Sequence, residues 1–184
     1  SEGSPQFTIV GLPDTAVKEA KDRVSTAIGN SGFEKPERNI TVNLAPADVK
    51  KEGPLYDLPI AVCLLAATDK VRCRDLSEWG MIGELALSGE IRRVRGVLPI
   101  VMEMRRIGRK GVLVPVENAE EAAVVNGISV YPVRTLSEAL RFLTGETSIA
   151  RVFSDLSRLL LAGRNTGDDV ADVKGQYFDK QAIE

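Results

Sequence analysis

The apolar positions change period several times along the chain. Phe7–Val10 is a short strand-like run, and Gly11-Leu12-Pro13 breaks it. Behind Asp14, a residue suited to a helix N-cap, Val17, Ala20, Val24, Ala27 and Ile28 fall on one helical stripe that Gly32 ends. A charged loop, 34–38, leads to strict alternation at Ile40, Val42 and Leu44. A polar loop closing on Lys51-Glu52-Gly53-Pro54 follows. Asp57 is then expected to cap a helix over 58–68, with Pro59 in its first turn and apolar residues nearly all round, hence buried. Segments 79–87 and 91–94 flank Ser88-Gly89-Glu90 as a hairpin-like pair. Arg95-Gly96 opens a helix striped by Val97, Ile100, Val101, Met104 and Ile107.

Strands at 112–114, closed by Pro115, and at 130–133 come next. Asn118 with Glu121, and Thr135 with Glu138, carry the capping-box spacing for two further helices. Alternating strands and helices predict an α/β sheet with helices packed on it. Stretches 39–67 and 83–107 both read strand, glycine-bearing loop, helix, and those two loops are where chemistry would sit. From Glu146 the pattern changes. Ile149, Val152, Phe153, Leu156 and Leu160 have helical spacing, and 163–169 reads as a polar linker. Internal repeats and low-complexity segments are absent.

Composition narrows the chemistry. The 184 residues contain no histidine, which removes Ser-His-Asp and Cys-His mechanisms. The two cysteines, Cys63 and Cys73, do not make a zinc site, and Cys63 on an apolar helix reads as core. A net charge of -2 gives no global field for nucleic acid. No apolar run is long enough for a bilayer, and there is no secretory leader, so a cytoplasmic location without membrane contact is expected. G-x-x-x-x-G-K-[ST] does not occur: Gly29 to Gly32 and Gly163 to Gly167 both lack the Lys-Ser/Thr end, so this polypeptide is not expected to hydrolyse ATP.

Lys51-Glu52-Gly53-Pro54 before a helix, then Gly83-Glu84, Gly89 and Arg95-Gly96, resemble the proteolytic domain of Lon-type proteases. That resemblance implies a nucleophilic serine at position 55 and a lysine base at position 98. Leu55 and Leu98 stand there instead, and neither can attack a carbonyl or accept a proton. Four longer strings, Phe7 to Asp14, Asn43 to Asp48, Asp57 to Ala61 and Arg95 to Pro99, resemble the amino-terminal domain of the ComM/YifB family. These are AAA-type ATPases described as magnesium-chelatase-like. The resemblance implies a Lon-protease-like, ribosomal-protein-S5-domain-2-like α/β fold over residues 1–145. It also implies a helix and linker over 146–171 and the start of an ATPase module over 172–184.

The resemblance further implies a non-catalytic accessory domain. Its parent would form a hexameric ring that moves DNA by ATP hydrolysis, with branch migration during uptake and recombination as its task. ATP and magnesium would belong to that parent, with no cofactor on this part of it. Partners would be the ATPase module, neighbouring subunits and DNA. Two other readings stay open: a Ser-Lys peptidase, which the leucines oppose, and a chelatase-type remodelling motor. Asp48, Glu52 and Asp57 admit an acid/base or metal reading, against which capping by Asp57 is the simpler one, and Lys50 and Lys51 read as solvated. The densest charge is Arg92, Arg93, Arg95, Arg105, Arg106, Arg109 and Lys110, seven cations against one carboxylate, Glu103. It reads either as a solvated face or as a contact to DNA phosphates or to a subunit. No aromatic residue interleaves it, which gives no support for stacking on single strands.

Overall fold

The computed structural model describes residues 6–45, 51 and 53–165. It is an α/β fold in which helices pack on small, mostly parallel sheets. β1 (Phe7–Val10) and β2 (Ile40–Asn43) pair in parallel, Phe7 against Ile40 through Val10 against Asn43, and α1 (Asp14–Asn30) makes the crossover. α1 buries Ala20, Val24, Ala27 and Ile28, the stripe read from the sequence. Its first residue is Asp14, which forms no side-chain cap; Pro13 occupies the cap position.

A 3₁₀ turn, Pro54–Tyr56, runs directly into α2 (Asp57–Ala66). α2 buries Leu58, Ile60, Ala61, Val62, Leu64 and Leu65. Cys63, expected in the core, is exposed instead, because α2 leaves one edge to solvent. β3 (Trp79–Met81), β6 (Gly111–Pro115) and β7 (Ser129–Val133) form a parallel sheet in the order β3-β6-β7. Only β4 (Glu84–Leu85) and β5 (Ile91–Arg92) form the antiparallel hairpin expected for the whole of 79–94. The β3 portion turns away to join the parallel sheet.

α3 (Val97–Arg106) and α4 (Ala119–Ala122) carry the crossovers of that sheet. α5 (Leu136–Thr144) starts on Thr135, whose Oγ1 accepts the Glu138 N–H, and ends on left-handed Gly145. Beyond it the chain is not helical until α6 (Asp155–Asn165): Val152 forms a single antiparallel bridge to Val130. The helical spacing of 149–153 therefore belongs to an extended segment. Gly163, placed in the linker by its sequence, lies inside α6. Residues 166–171 of that linker and the 172–184 segment lie outside the described residues.

Two apolar clusters result. The first lies among α1, α2, α5 and the β1–β2 pair, and the second among α3, α4, β6 and β7. Among the described residues no helix is long and apolar enough to cross a membrane.

Candidate functional site

The Gly53–Pro54 loop and the segment from Gly83 are stitched together through backbone. The Gly83 N–H donates to the Leu55 carbonyl, and the Leu58 N–H donates to the Gly83 carbonyl, both at 3.0 Å. Glycine at position 83 has a packing reason: a Cβ there would drive into the Ile91 side chain. Gly96 sits in the left-handed region, φ 74°, and lets the chain turn sharply into α3. The loop frame seen in the sequence is thus built, and it brings positions 55 and 98 to the same apolar cluster. Leu55 and Leu98 both pack, half-buried, against the Val97, Val101 and Ile82 group. An aliphatic side chain at each position can neither attack nor accept a proton, so this frame holds no Ser-Lys chemistry.

Asp57 does not cap α2. Tyr56 holds the cap position, and no side chain caps the helix. The orphan amides are met in another way: the Asp57 N–H bonds back to Pro54 within the 3₁₀ turn, and Gly83 takes the Leu58 N–H. The buried Asp57 carboxylate instead receives Arg23 Nε at 2.8 Å, Arg23 Nη2 at 3.1 Å and the Leu85 N–H at 3.1 Å. Burial pushes the Asp57 carboxyl above its ordinary value, with Arg23 and the Leu85 amide opposing. The bond to Asp57 in turn holds the Arg23 guanidinium above its own ordinary value.

Beside this pair a cleft of about 280 Å³ opens, walled by Leu12, Arg23, Lys51, Pro54 and Tyr56. Lys51, read as solvated, is 9% exposed because it forms part of that wall. Lys50, Asp48 and Glu52 lie outside the described residues. Glu84 pairs with Arg92 across the β4–β5 hairpin. At the turn, Gly89 is left-handed, φ 91°, and its carbonyl accepts the Leu136 N–H.

The arginine window does not form one patch. Arg92, Arg93 and Arg95 are exposed at the N-terminal end of α3, and Arg105, Arg106, Arg109 and Lys110 lie at its other end. Eight residues of helix, 97–104, lie between them, about 12 Å. Three of the second group, Arg105, Arg106 and Lys110, have partners within the fold. Arg106 grips Glu103 through two 2.7 Å bonds, which hold the Glu103 carboxyl below its ordinary value. Arg105 Nη1 donates to the Asn126 carbonyl at 3.1 Å, and Lys110 lies 3.7 Å from Glu78.

The first group is presented by Asn118. Its Oδ1 accepts the Val94 N–H at 3.0 Å and its Nδ2 donates to the Val94 carbonyl at 2.9 Å. Asn118, read as half of a capping box, makes no cap bond; it is fully buried and clamps the irregular segment between Arg93 and Arg95. Sequence reasoning missed Arg23, Asn118 in this role and the burial of Lys51. The one available signal for Arg23 is its place beside Val24, on the flank of the buried stripe.

Fold and loop frame together define a Lon-like α/β domain, with leucine at the two positions to which the resemblance assigns the dyad. The family described as subunit ChlI of Mg-chelatase matches residues 1–118. The competence protein ComM of Haemophilus influenzae is 40% identical over 185 residues, covering 100% of this chain and 36% of that protein. YifB of Escherichia coli is 42% identical over 186 residues, covering 100% of this chain and 35% of YifB. Lon protease 2 of Bacillus subtilis is 26% identical over 124 residues, 67% of this chain and 22% of that protease. The chain belongs to the Mg-chelatase-like family, with ComM and YifB as full-chain relatives, and it spans about a third of their length. Among the described residues no three His, Cys, Asp or Glu side chains gather to hold a metal, and the phosphate-loop motif is absent from the sequence.

Proposed function

We propose that this chain is a non-catalytic accessory domain of a Mg-chelatase-like AAA ATPase. Its parent is read as a ring-forming motor that uses ATP and magnesium to move DNA, with branch migration during uptake and recombination as its task. The observation that carries the reading is the pairing of a kept Lon-like loop frame with leucines at both dyad positions, packed into one apolar cluster. A frame that persists with its chemistry replaced by packing serves as scaffold. Full-chain identity to a protein named for competence supports the DNA side of the reading. Within the parent, the exposed Arg92, Arg93 and Arg95 end supplies a phosphate contact.

Two measurements test this. Peptide hydrolysis by the chain should stay at buffer background, and ATP turnover by the full-length parent should rise with DNA. Turnover that rises with a protein substrate and ignores DNA would replace the reading with that of a remodelling motor.

A further inference from the structure

We infer that the cleft between the β7 edge and α6 binds single-stranded nucleic acid, gripping phosphates with arginines and stacking a base on Phe153. The cleft encloses about 510 Å³, within the usual range of roughly 300–1,000 Å³ for ligand sites. Lys110, Arg151 and Arg164 line it, and among the described residues no carboxylate does. The cleft among Phe33, Leu65 and Leu140 differs: Glu34, Asp69 and Glu146 offset the cations on its wall.

The sequence hides this convergence, because the cations come from three separate segments. The bridge from the Val152 N–H to the Val130 carbonyl, 2.9 Å, fixes the extended segment against β7. Alternation along an extended chain then sends Arg151 and Phe153 to the same side. The Arg151 guanidinium lies over the Phe153 ring, 4.8 Å from its centroid, and donates from Nη1 to Ser129 Oγ at 3.3 Å. Arg151 is therefore aligned in advance while most of its five donors stay available for a phosphate. Arg105 stands at the rim, bound to the Asn126 carbonyl. Lys110 is the weakest of the set, since Glu78 lies 3.7 Å away.

A bare anion would not use the apolar part of this wall, Phe153 with Leu160 and Leu161. A nucleotide would, since its base carries a π-face for the ring and its phosphate meets the arginines. A duplex keeps its base faces inside the stack and offers Phe153 nothing. The cleft suits about one or two nucleotides of a single strand. This site rests on the reading of the parent as a DNA motor, and supplies the stacking residue that the arginine window lacks.

The test is fluorescence anisotropy of a labelled oligothymidylate with the whole chain, set against a hairpin duplex, with inorganic tripolyphosphate as a second probe. Single strands should bind at roughly 10⁻⁴ to 10⁻⁶ M. Arg151→Gln with Arg164→Gln should weaken them about tenfold. Phe153→Ala should weaken them about fivefold or more while leaving tripolyphosphate binding unchanged, and Phe153→Tyr should restore them. Single-strand binding that ignores all of these changes would overturn the site and leave the motor reading standing. Equal binding of single strand and duplex, with Phe153 silent, would overturn it in favour of a plain phosphate site. Failure to bind any DNA would count against the site and the DNA reading together.

Discussion

Arg23 and Asp57, 34 residues apart, meet in a forked ion pair that ties α1 to the first turn of α2. Asp57 is 1% exposed and the Arg23 side chain 25%, so the carboxylate carries most of the desolvation. Removing Arg23 leaves that carboxylate buried without its cation. Arg23→Met should cost about 3 kcal/mol at pH 7, at the lower end for a broken buried pair. Without Arg23 the Asp57 carboxyl rises further above its ordinary value. A raised carboxyl binds its proton more tightly in the folded state, so its contribution is intact below the unfolded value, about 3.9, and is lost as pH rises through the folded value. The cost of Arg23→Met should therefore shrink at pH 4, and Asp57→Asn added to it should recover stability at pH 7. Urea unfolding of the variants at both pH values measures this. A cost independent of pH would mean that Asp57 does not carry the effect.

The frame around positions 55 and 98 should be inert towards peptides. Fluorogenic peptides and casein are expected to remain uncleaved, because neither leucine carries a reactive atom. Leu98→Lys should cost about 1–2 kcal/mol, the loss of a half-buried apolar side chain from the second cluster. Peptide turnover abolished by changing a single serine to alanine would reveal a nucleophile elsewhere and undo the scaffold reading.

Element types were legible where one period dominated; of the expected caps only Thr135, with Glu138 three residues on, forms as read. The α1 stripe and the β2 alternation are both in the structure, since burial on one face imposes each period. Asp14, Asp57 and Asn118 all occupy positions that suit a cap, yet none forms one. Capping is local, whereas Asp57 and Asn118 answer partners 34 and 24 residues distant, Arg23 and Val94, which no short-range rule contains. The loop frame was legible because it depends on glycines at fixed places. The stripe from Val97 to Ile107 likewise put a helix between the two halves of the arginine window, whereas the bond from Arg105 to the Asn126 carbonyl, 21 residues away, was not legible.

Asn118 is a clamp whose loss should be felt at Val94. Asn118→Ala leaves a buried N–H and C=O unpaired and should cost about 2–3 kcal/mol. Asn118→Asp should cost nearly as much, since it lacks the donor that meets the Val94 carbonyl. Amide exchange at Val94 should accelerate in both variants. Unchanged exchange there would show that the segment is held by its other neighbours.

ATP should not bind this chain tightly. The sequence has no glycine-rich loop ending in Lys-Ser/Thr to cradle phosphates and magnesium. Isothermal titration with ATP and magnesium is expected to show no micromolar isotherm, which corresponds to roughly −8 kcal/mol. A clear isotherm in that range would require a nucleotide site built from other residues.

The two ends of α3 should separate in a salt titration of the full-length parent. Arg106 is held by Glu103 and Arg105 by the Asn126 carbonyl, so neither is free to follow a phosphate without breaking a bond. Arg92, Arg93 and Arg95 are exposed, and the Asn118 clamp on Val94 fixes the backbone that carries the last two. Changing these three to Gln should weaken DNA binding and flatten the dependence of log K on log salt by about 0.9 for each duplex phosphate no longer neutralised. Arg105→Gln with Arg106→Gln should change the slope far less. Because phosphates carry no sequence information, the weakening should be the same on DNA of any sequence. Equal effects from the two sets would make the window one electrostatic patch despite its division. An unchanged slope with a loss of the proposed ring assembly would make the Arg92–Arg95 end a subunit interface in place of a DNA-binding one.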